Sequence, residues 1–347
     1  MKYHIFGESH GPAIGVVLEG VPAGIKLDLE AVQHELDRRK PGKNKLSTAR
    51  KEADQVEILS GLFEGSTTGT PMAMVIRNSD QHSGDYDALR FTPRPSHGDF
   101  AGFMASGGCQ DHRGGGHFSG RLTAPLVAAG AVAKQVLARR GVWIGSHISC
   151  IHGINDAVLT SAEELKFIAG KEFPVLDDER GGEMQAIIAQ AGAQQDSVGG
   201  AIECVVTGMP VGLGAPDFGC NVEGIFAQHL FAVPAVKAVE FGAGVAFAYM
   251  LGSEANDPFE KDGDRITTKT NHAGGINGGI TNGMPVVFEV TMRPTPSIGL
   301  PQETVDLRTG EEVEIEIRGR HDPCVVHRAV PVIEAAAALA ACEVMGI

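Results

Sequence analysis

Residues 114–151 read GGGHFSGRLTAPLVAAGAVAKQVLARRGVWIGSHISCI, and the changes of character along this stretch decide the fold. Three glycines open it, and glycine takes left-handed backbone at little steric cost, so a tight turn is expected first. From 122 to 140 small and aliphatic residues dominate, which predicts a long buried helix with Gly141 as its C-cap. The helix begins just beyond Ser119 and Arg121, so backbone N–H groups should gather near those side chains. Residues 142–151 then take on the composition of a strand.

Outward from this unit, Asp28 caps a helix predicted over 28–40, where Leu29, Val32 and Leu36 recur at helical spacing and Arg38 and Arg39 fall at the C-terminal end. Helices are predicted over 161–169, 184–195 and 325–345, and strands over 201–207, 285–292 and 313–317. These elements alternate irregularly rather than as βαβ units. That order predicts an α+β fold, a layered sandwich of helices with antiparallel or mixed sheets. No Pro/Ser-rich spacer or short repeat divides the chain, so residues 1–347 are expected to form a single large domain. Segments 80–99 and 255–279 read as long connections, which in a compact enzyme are usually functional.

Among the 347 residues, 43 acidic side chains outweigh 29 basic ones, giving a net charge of −14. Such a field repels polyanions, so neither nucleic acid nor an acidic membrane is an expected partner, and an anionic ligand needs a local basic pocket. Glycine occurs 46 times, nearly twice its usual share of about 7%, which favours backbone-rich loops. Cys109, Cys150, Cys204, Cys220, Cys324 and Cys342 lie far apart, without the pairing of a disulfide framework or a zinc site, so a reducing, cytoplasmic setting is expected. The opening Met1-Lys2-Tyr3-His4 lacks the apolar core of a secretory signal. No apolar run approaches the roughly 18 residues of a membrane span.

Two charge clusters stand out. Arg38, Arg39, Lys40, Lys43, Lys45, Arg50 and Lys51 occupy fourteen positions with no acid among them. They read either as a solvated face or as a grip for phosphate and carboxylates, and Pro41-Gly42 favours a turned loop in which the charges converge. The second cluster comprises Arg90, Arg94, His97, His112, Arg113, His117 and Arg121, with Asp99 and Asp111 as possible orienters. Its histidine spacing matches no metal-binding pattern, so no metal is expected. Gly7-Glu8-Ser9-His10-Gly11 fits the nucleophile elbow of serine hydrolases in letters, but that elbow needs a buried strand before it and a helix after it, whereas Pro12 follows. Neither a P-loop nor a Rossmann fingerprint is present.

Taken in order, the motifs resemble those of the chorismate synthase family. They are Phe6-Gly7-Glu8-Ser9-His10-Gly11, Leu36-Asp37-Arg38-Arg39 with Pro41-Gly42, Ile58-Leu59-Ser60-Gly61 with Gly65 and Thr67-Thr68-Gly69-Thr70, and Arg94-Pro95-Ser96-His97. Arg113-Gly114-Gly115-Gly116, Asn271-His272-Ala273-Gly274-Gly275-Ile276 and Gly319-Arg320-His321-Asp322-Pro323-Cys324 complete the set. The resemblance runs essentially end to end. It implies an α+β sandwich that assembles as a homotetramer and an anti-1,4 elimination of phosphate from 5-enolpyruvylshikimate 3-phosphate. It also implies reduced FMN as cofactor, supplied by a separate reductase, with no net redox change.

The same resemblance assigns site residues. His10 is similar to the histidine that protonates or hydrogen-bonds the reduced flavin, His97 to the one that gives a proton to the leaving phosphate, and Asp322 to the carboxylate that helps take the ring hydrogen. Arg39, Lys45, Arg50, Arg94, Arg121 and Arg320 resemble an anion clamp, with Arg39 and Lys45 also the positions expected to touch reduced nicotinamide (NADP) or substrate phosphate. Flavin contacts fall on Ser9, His117, Phe118, Ser119, Pro234, Ala235, Gly278, Arg293, Pro294, Thr295, Pro296, Ser297 and Arg320. The chain departs from the family at some of these positions. Pro234 lacks a side-chain amide that an asparagine would bring, and Pro296 lacks a hydroxyl and a backbone donor.

Overall fold

The computed structural model describes residues 1–42, 46, 52–79, 89–317 and 322–347. Its helices are α1 (Leu29–Arg39), α2 (Asp99–Ser106), α3 (Thr123–Ala138), α4 (Ala162–Ile168), α5 (Asp178–Ala193), α6 (Val222–Phe231), α7 (Gly252–Ala255) and α8 (Val326–Val344). Two sheets enclose the central helices. A four-stranded sheet orders Lys2–Gly7, Ala13–Glu19, Met72–Arg77 and Val56–Ile58, and α3 packs on its middle strands. A five-stranded sheet orders Val236–Phe241, Val286–Met292, Gly200–Thr207, Trp143–Ile151 and Ile154–Asn155, and α8 packs on it. Every strand pair among the described residues is antiparallel, so the layered α+β sandwich is present and its sheets are not mixed.

Helices α3 and α8 carry little polar surface because each meets a sheet on one side and helices on others, and a helix covered all round must be apolar all round. Their crossing is set by Gly130. A Cβ there would lie 2.2 Å from the Cβ of Ala335, so only glycine lets the two backbones approach this closely. Asp28 caps α1 by accepting from the Ala31 N–H, and Ser161 with Glu164 forms a capping box on α4. Helix α5 begins at Asp178, well before the predicted 184, because Asp177 accepts from the N–H groups of Glu179 and Arg180. The stretch 255–279 contains the hairpin Phe259–Asp262 with Arg265–Thr268.

The central layer buries an ionic cluster. Glu334 of α8 accepts from Arg38 through both carboxylate oxygens, from Lys134 at 2.5 Å and from the Ser146 hydroxyl at 2.8 Å. No helix among the described residues is long and apolar enough to cross a membrane.

Candidate active site

The site is assembled around the glycine turn 114–116. Gly114, Gly115 and Gly116 have φ of +61°, +81° and +53°, three successive left-handed residues. The turn brings two histidines from different parts of the chain onto neighbouring residues. A Cβ on Gly114 would lie 2.5 Å from His10 Nε2, and one on Gly115 would lie 3.0 Å from His97 Cε1. On Gly116 it would strike the Asp111 carbonyl at 2.1 Å. Ser9 and His10, both buried, enter in the loop between the first two strands, fastened by the Ser9 N–H to the Gly116 carbonyl at 3.1 Å. Gly7 makes that loop possible, since at φ +97° a side chain would collide with the Ala13 carbonyl.

His97 belongs to a tight polar group. Its Nδ1 lies 2.7 Å from Asp99 Oδ1, and Arg94 clasps the same carboxylate from Nε at 2.7 Å and Nη2 at 2.8 Å. Burial alone would raise the Asp99 carboxyl, yet the hydrogen bonds from Arg94 and His97 hold it well below the usual carboxylate range. Arg94 Nη1 also donates to Ser297 Oγ at 3.0 Å, and Arg293 Nη1 donates to the Ser96 carbonyl at 2.6 Å. These two bonds brace the segment 293–297 against the turn that carries His97. Thr295 continues the contact by donating to the Asp322 carbonyl at 2.6 Å, while the Asp322 carboxylate accepts from Arg328 at 2.7 Å. Pro294 and Pro296 lie in the same loop, and Ala235, at φ +74°, accepts from the Arg293 N–H just after Pro234.

Arg39 and Arg121 are built into the floor. Arg39 donates to Thr123 Oγ1 at 3.0 Å, Asp54 Oδ2 at 2.9 Å and the Gly120 carbonyl at 3.0 Å. Burial pushes this guanidinium down to about 10 in spite of Asp54. Arg121 bonds the other oxygen of Asp54 and donates to Asn78 Oδ1 at 3.1 Å. Its Nη2 is buried without a hydrogen-bond partner among the described residues, 3.8 Å from Glu52 Oε2. Asn78 in turn donates to the carbonyls of Glu8 and Gly11, tying Arg121 to the His10 loop. Ser119 accepts from the Arg121 N–H, and His117 Nδ1 sits 3.0 Å from the Gly7 carbonyl. Phe118 is half exposed and lies across Gly98 and Gly102 at the start of α2.

Gly278 is at the tip of the hairpin Ile276–Asn277 with Ile280–Thr281, whose next residue, Gly279, packs on Asn221 before α6. Lys45, Arg50 and Arg320 lie outside the described residues. No metal-holding group of histidine, cysteine and carboxylates occurs among the described residues. Sequence reading missed Asp54, Asn78 and Arg328. Asp54 had a signal, being among the first acids after the basic run 38–51, where a counter-charge is expected; Asn78 and Arg328 reach the site only through tertiary contacts.

The chorismate synthase family model matches residues 1–345. The chain is 50% identical over 336 residues to the chorismate synthase of Methanocella arvoryzae, covering 96% of this chain and 89% of that protein. It is 46% identical over 346 residues to that of Aeropyrum pernix, covering 99% and 90%. A solved crystal structure of chorismate synthase superposes with a TM-score of 0.78 at 29% identity, covering 99% of this chain and 91% of that one.

Proposed function

The chain belongs to the chorismate synthase family, and from that premise we propose how its own residues divide the work. The reaction is that of a shikimate-pathway lyase, loss of phosphate from 5-enolpyruvylshikimate 3-phosphate to give chorismate. We propose reduced FMN as its cofactor, and the residues present fit such a group. The glycine turn seats His10 and His97 directly against its backbone with no side chain between, and Arg121 Nη2 is a buried donor of the kind an anionic oxygen satisfies. Ser9, His117, Phe118, Ser119, Pro234, Ala235, Gly278, Arg293, Pro294, Thr295, Pro296, Ser297 and Arg320 are the positions proposed to hold it. The chemistry that a reduced flavin supplies when bound is electron density, lent to a substrate ring whose C–H no neighbouring carbonyl acidifies.

In this reading His97 holds a proton at Nε2 for the departing phosphate oxygen, and Arg94 beside it steadies the anion. His10, packed on Gly114, is the histidine proposed to protonate or hydrogen-bond the reduced flavin. Asp322, held by Arg328, takes the ring hydrogen. Arg39, Lys45, Arg50 and Arg121 supply positive charge for phosphate, carboxylates or reduced nicotinamide (NADP), and Arg39 does so from within a network that fixes its position. The convergence of His10 and His97 on adjacent glycines is the observation that carries the proposal. Anaerobic mixing with substrate tests it. Chorismate and phosphate should form with reduced FMN and not with oxidised FMN or NADPH alone, and full-rate phosphate release without flavin refutes it.

We further propose one catalytic domain over 1–347, a cytoplasmic setting in keeping with six free cysteines, flavin delivered by a separate reductase, and a homotetramer. Exposed Tyr249, Leu251, Phe259 and Ile266 support the last. They lie on or next to a 3-10 turn and a hairpin with little buried surface of their own, and a lone two-stranded hairpin is marginal in water.

A further inference from the structure

His97 has two candidate partners at Nδ1, and their chemistry settles where its proton sits. Arg94 Nη2, 3.1 Å away, can only donate, while Asp99 Oδ1, 2.7 Å away, can only accept as a carboxylate. An unprotonated Nδ1 would set a lone pair against a carboxylate oxygen at hydrogen-bond distance. A protonated one makes a charge-assisted bond, and Arg94 still has both Asp99 oxygens. Asp99 is well placed to decide this. It is the first residue of α2, its surroundings are buried, and the turn preceding it returns the Arg94 N–H to the same carboxylate at 3.1 Å. From the opposite side His97 meets the Gly115 edge, which carries no side chain.

We propose that Asp99 is a positioning residue for the elimination: its carboxylate fixes His97 as the Nδ1–H tautomer and clamps Arg94 at the same time, so that Nε2 is the nitrogen presented at Gly115. The inference rests on the reading of His97 as the acid for phosphate. The proton bookkeeping favours it. When the imidazolium gives its Nε2 proton to the leaving oxygen, the N–H bond breaks, an O–H bond forms on phosphate, and the ring remains as the neutral Nδ1–H form that Asp99 already holds. No tautomer exchange is needed before the next proton arrives at Nε2.

The test combines kinetics with nitrogen-15 NMR of histidine-labelled protein free of ligand, the His97 signal being assigned by its loss in His97→Gln. The parent should show the Nδ1–H tautomer, and Asp99→Asn should shift His97 toward Nε2–H. In single turnover with reduced FMN, Asp99→Asn should lower the rate of phosphate release about 10- to 100-fold while substrate KM and flavin affinity change less than threefold. In the His97→Gln background the same substitution should cost several-fold less, the remaining loss passing through Arg94. An Nε2–H tautomer in the parent overturns the proposal outright, and this result is available even if Asp99→Asn fails to fold. A rate loss of equal size with and without His97 also overturns it, since Asp99 would then act through Arg94 or the fold. His97→Gln at the parental rate refutes the acid assignment alone, leaving the tautomer spectrum to judge Asp99.

Discussion

Replacing Gly114 by alanine probes the glycine turn most directly. Gly114 and Gly115 share left-handed backbone, at φ/ψ of 61°/18° and 81°/7°, so an alanine at either carries a similar conformational cost of about 1 to 2 kcal/mol. For a chain of 347 residues that corresponds to a fall in Tm of about 1 to 3 °C. The contacts differ much more. At Gly114 the new methyl would sit 2.4 Å from His10 Cδ2, so the ring must retreat by about 1 Å to reach ordinary contact, and a displacement of that order costs roughly 10²-fold in rate. At Gly115 the nearest atom is His97 Cε1 at 3.0 Å, which needs only a few tenths of an ångström of give. Gly114→Ala should therefore lose on the order of 100-fold in turnover, Gly115→Ala clearly less, with nearly equal melting points. Anaerobic turnover with reduced FMN and a thermal melt of each variant supply the comparison. In a His10→Ala background the Gly114→Ala penalty should largely vanish. If it persists there at full size, the turn acts through something other than His10 and the reasoning fails.

Asp54→Asn removes the carboxylate shared by two buried guanidinium groups and should cost about 3 to 5 kcal/mol in urea unfolding, whereas a loss under about 1 kcal/mol would show that the pair is screened by water. His327 is buried against Phe173 with neither ring nitrogen hydrogen-bonded among the described residues, and burial pushes it down to about 4. Because its folded pKa lies below the ordinary value near 6.5, the unfolded chain binds more protons between those limits, so stability should fall by up to about 3 kcal/mol as pH drops from 6.5 to 4. His327→Leu should flatten that part of the profile, and an unchanged slope would refute the assignment. His147, bonded to Asp156 and Glu203 and raised to about 9, predicts the opposite sign: stability present below pH 6.5 and lost as pH rises through 9, an effect that His147→Gln should remove. Light scattering should give the mass of four chains, and Tyr249→Glu with Phe259→Glu should reduce it; a monomeric parent would end the tetramer proposal.

The helical core was legible because α3 and α8 are written in small apolar residues bounded by cap signals, and such runs have few alternatives. The start of α5 was misplaced because 178–183 reads as charged and glycine-containing, and only the Asp177 cap shows that the helix includes it. The four-stranded sheet went unread. Its strand Met72–Arg77 is buried with scarcely any alternation, and Lys2–Gly7 alternates among residues that resemble a loop as much as a strand. At the site, the family resemblance pointed to His10 and His97 and the charge cluster offered Asp99 as a possible orienter, but the polar links among them depend on tertiary contacts. Nothing local says that Arg94 reaches Ser297 or that Arg328 reaches the Arg39 carbonyl. Arg39 illustrates the difference: in sequence it is one base in a run, and in the fold it is the buried partner of Asp54.

The braces between Arg94 and Ser297 and between Arg293 and Ser96 join residues about 200 positions apart, and Arg328 meets the Arg39 carbonyl across 289. Each such closure costs chain entropy that local structure cannot repay, so these bonds form only after the layers between them have packed. The candidate site is thus the keystone of this molecule rather than a graft on one stable corner of it. A chain with both sheets formed but the 293–297 segment undocked would hold native secondary structure and a mispositioned Arg94. During refolding, activity should be the last native property to return, and a truncated chain lacking 293–347 should recover none of it.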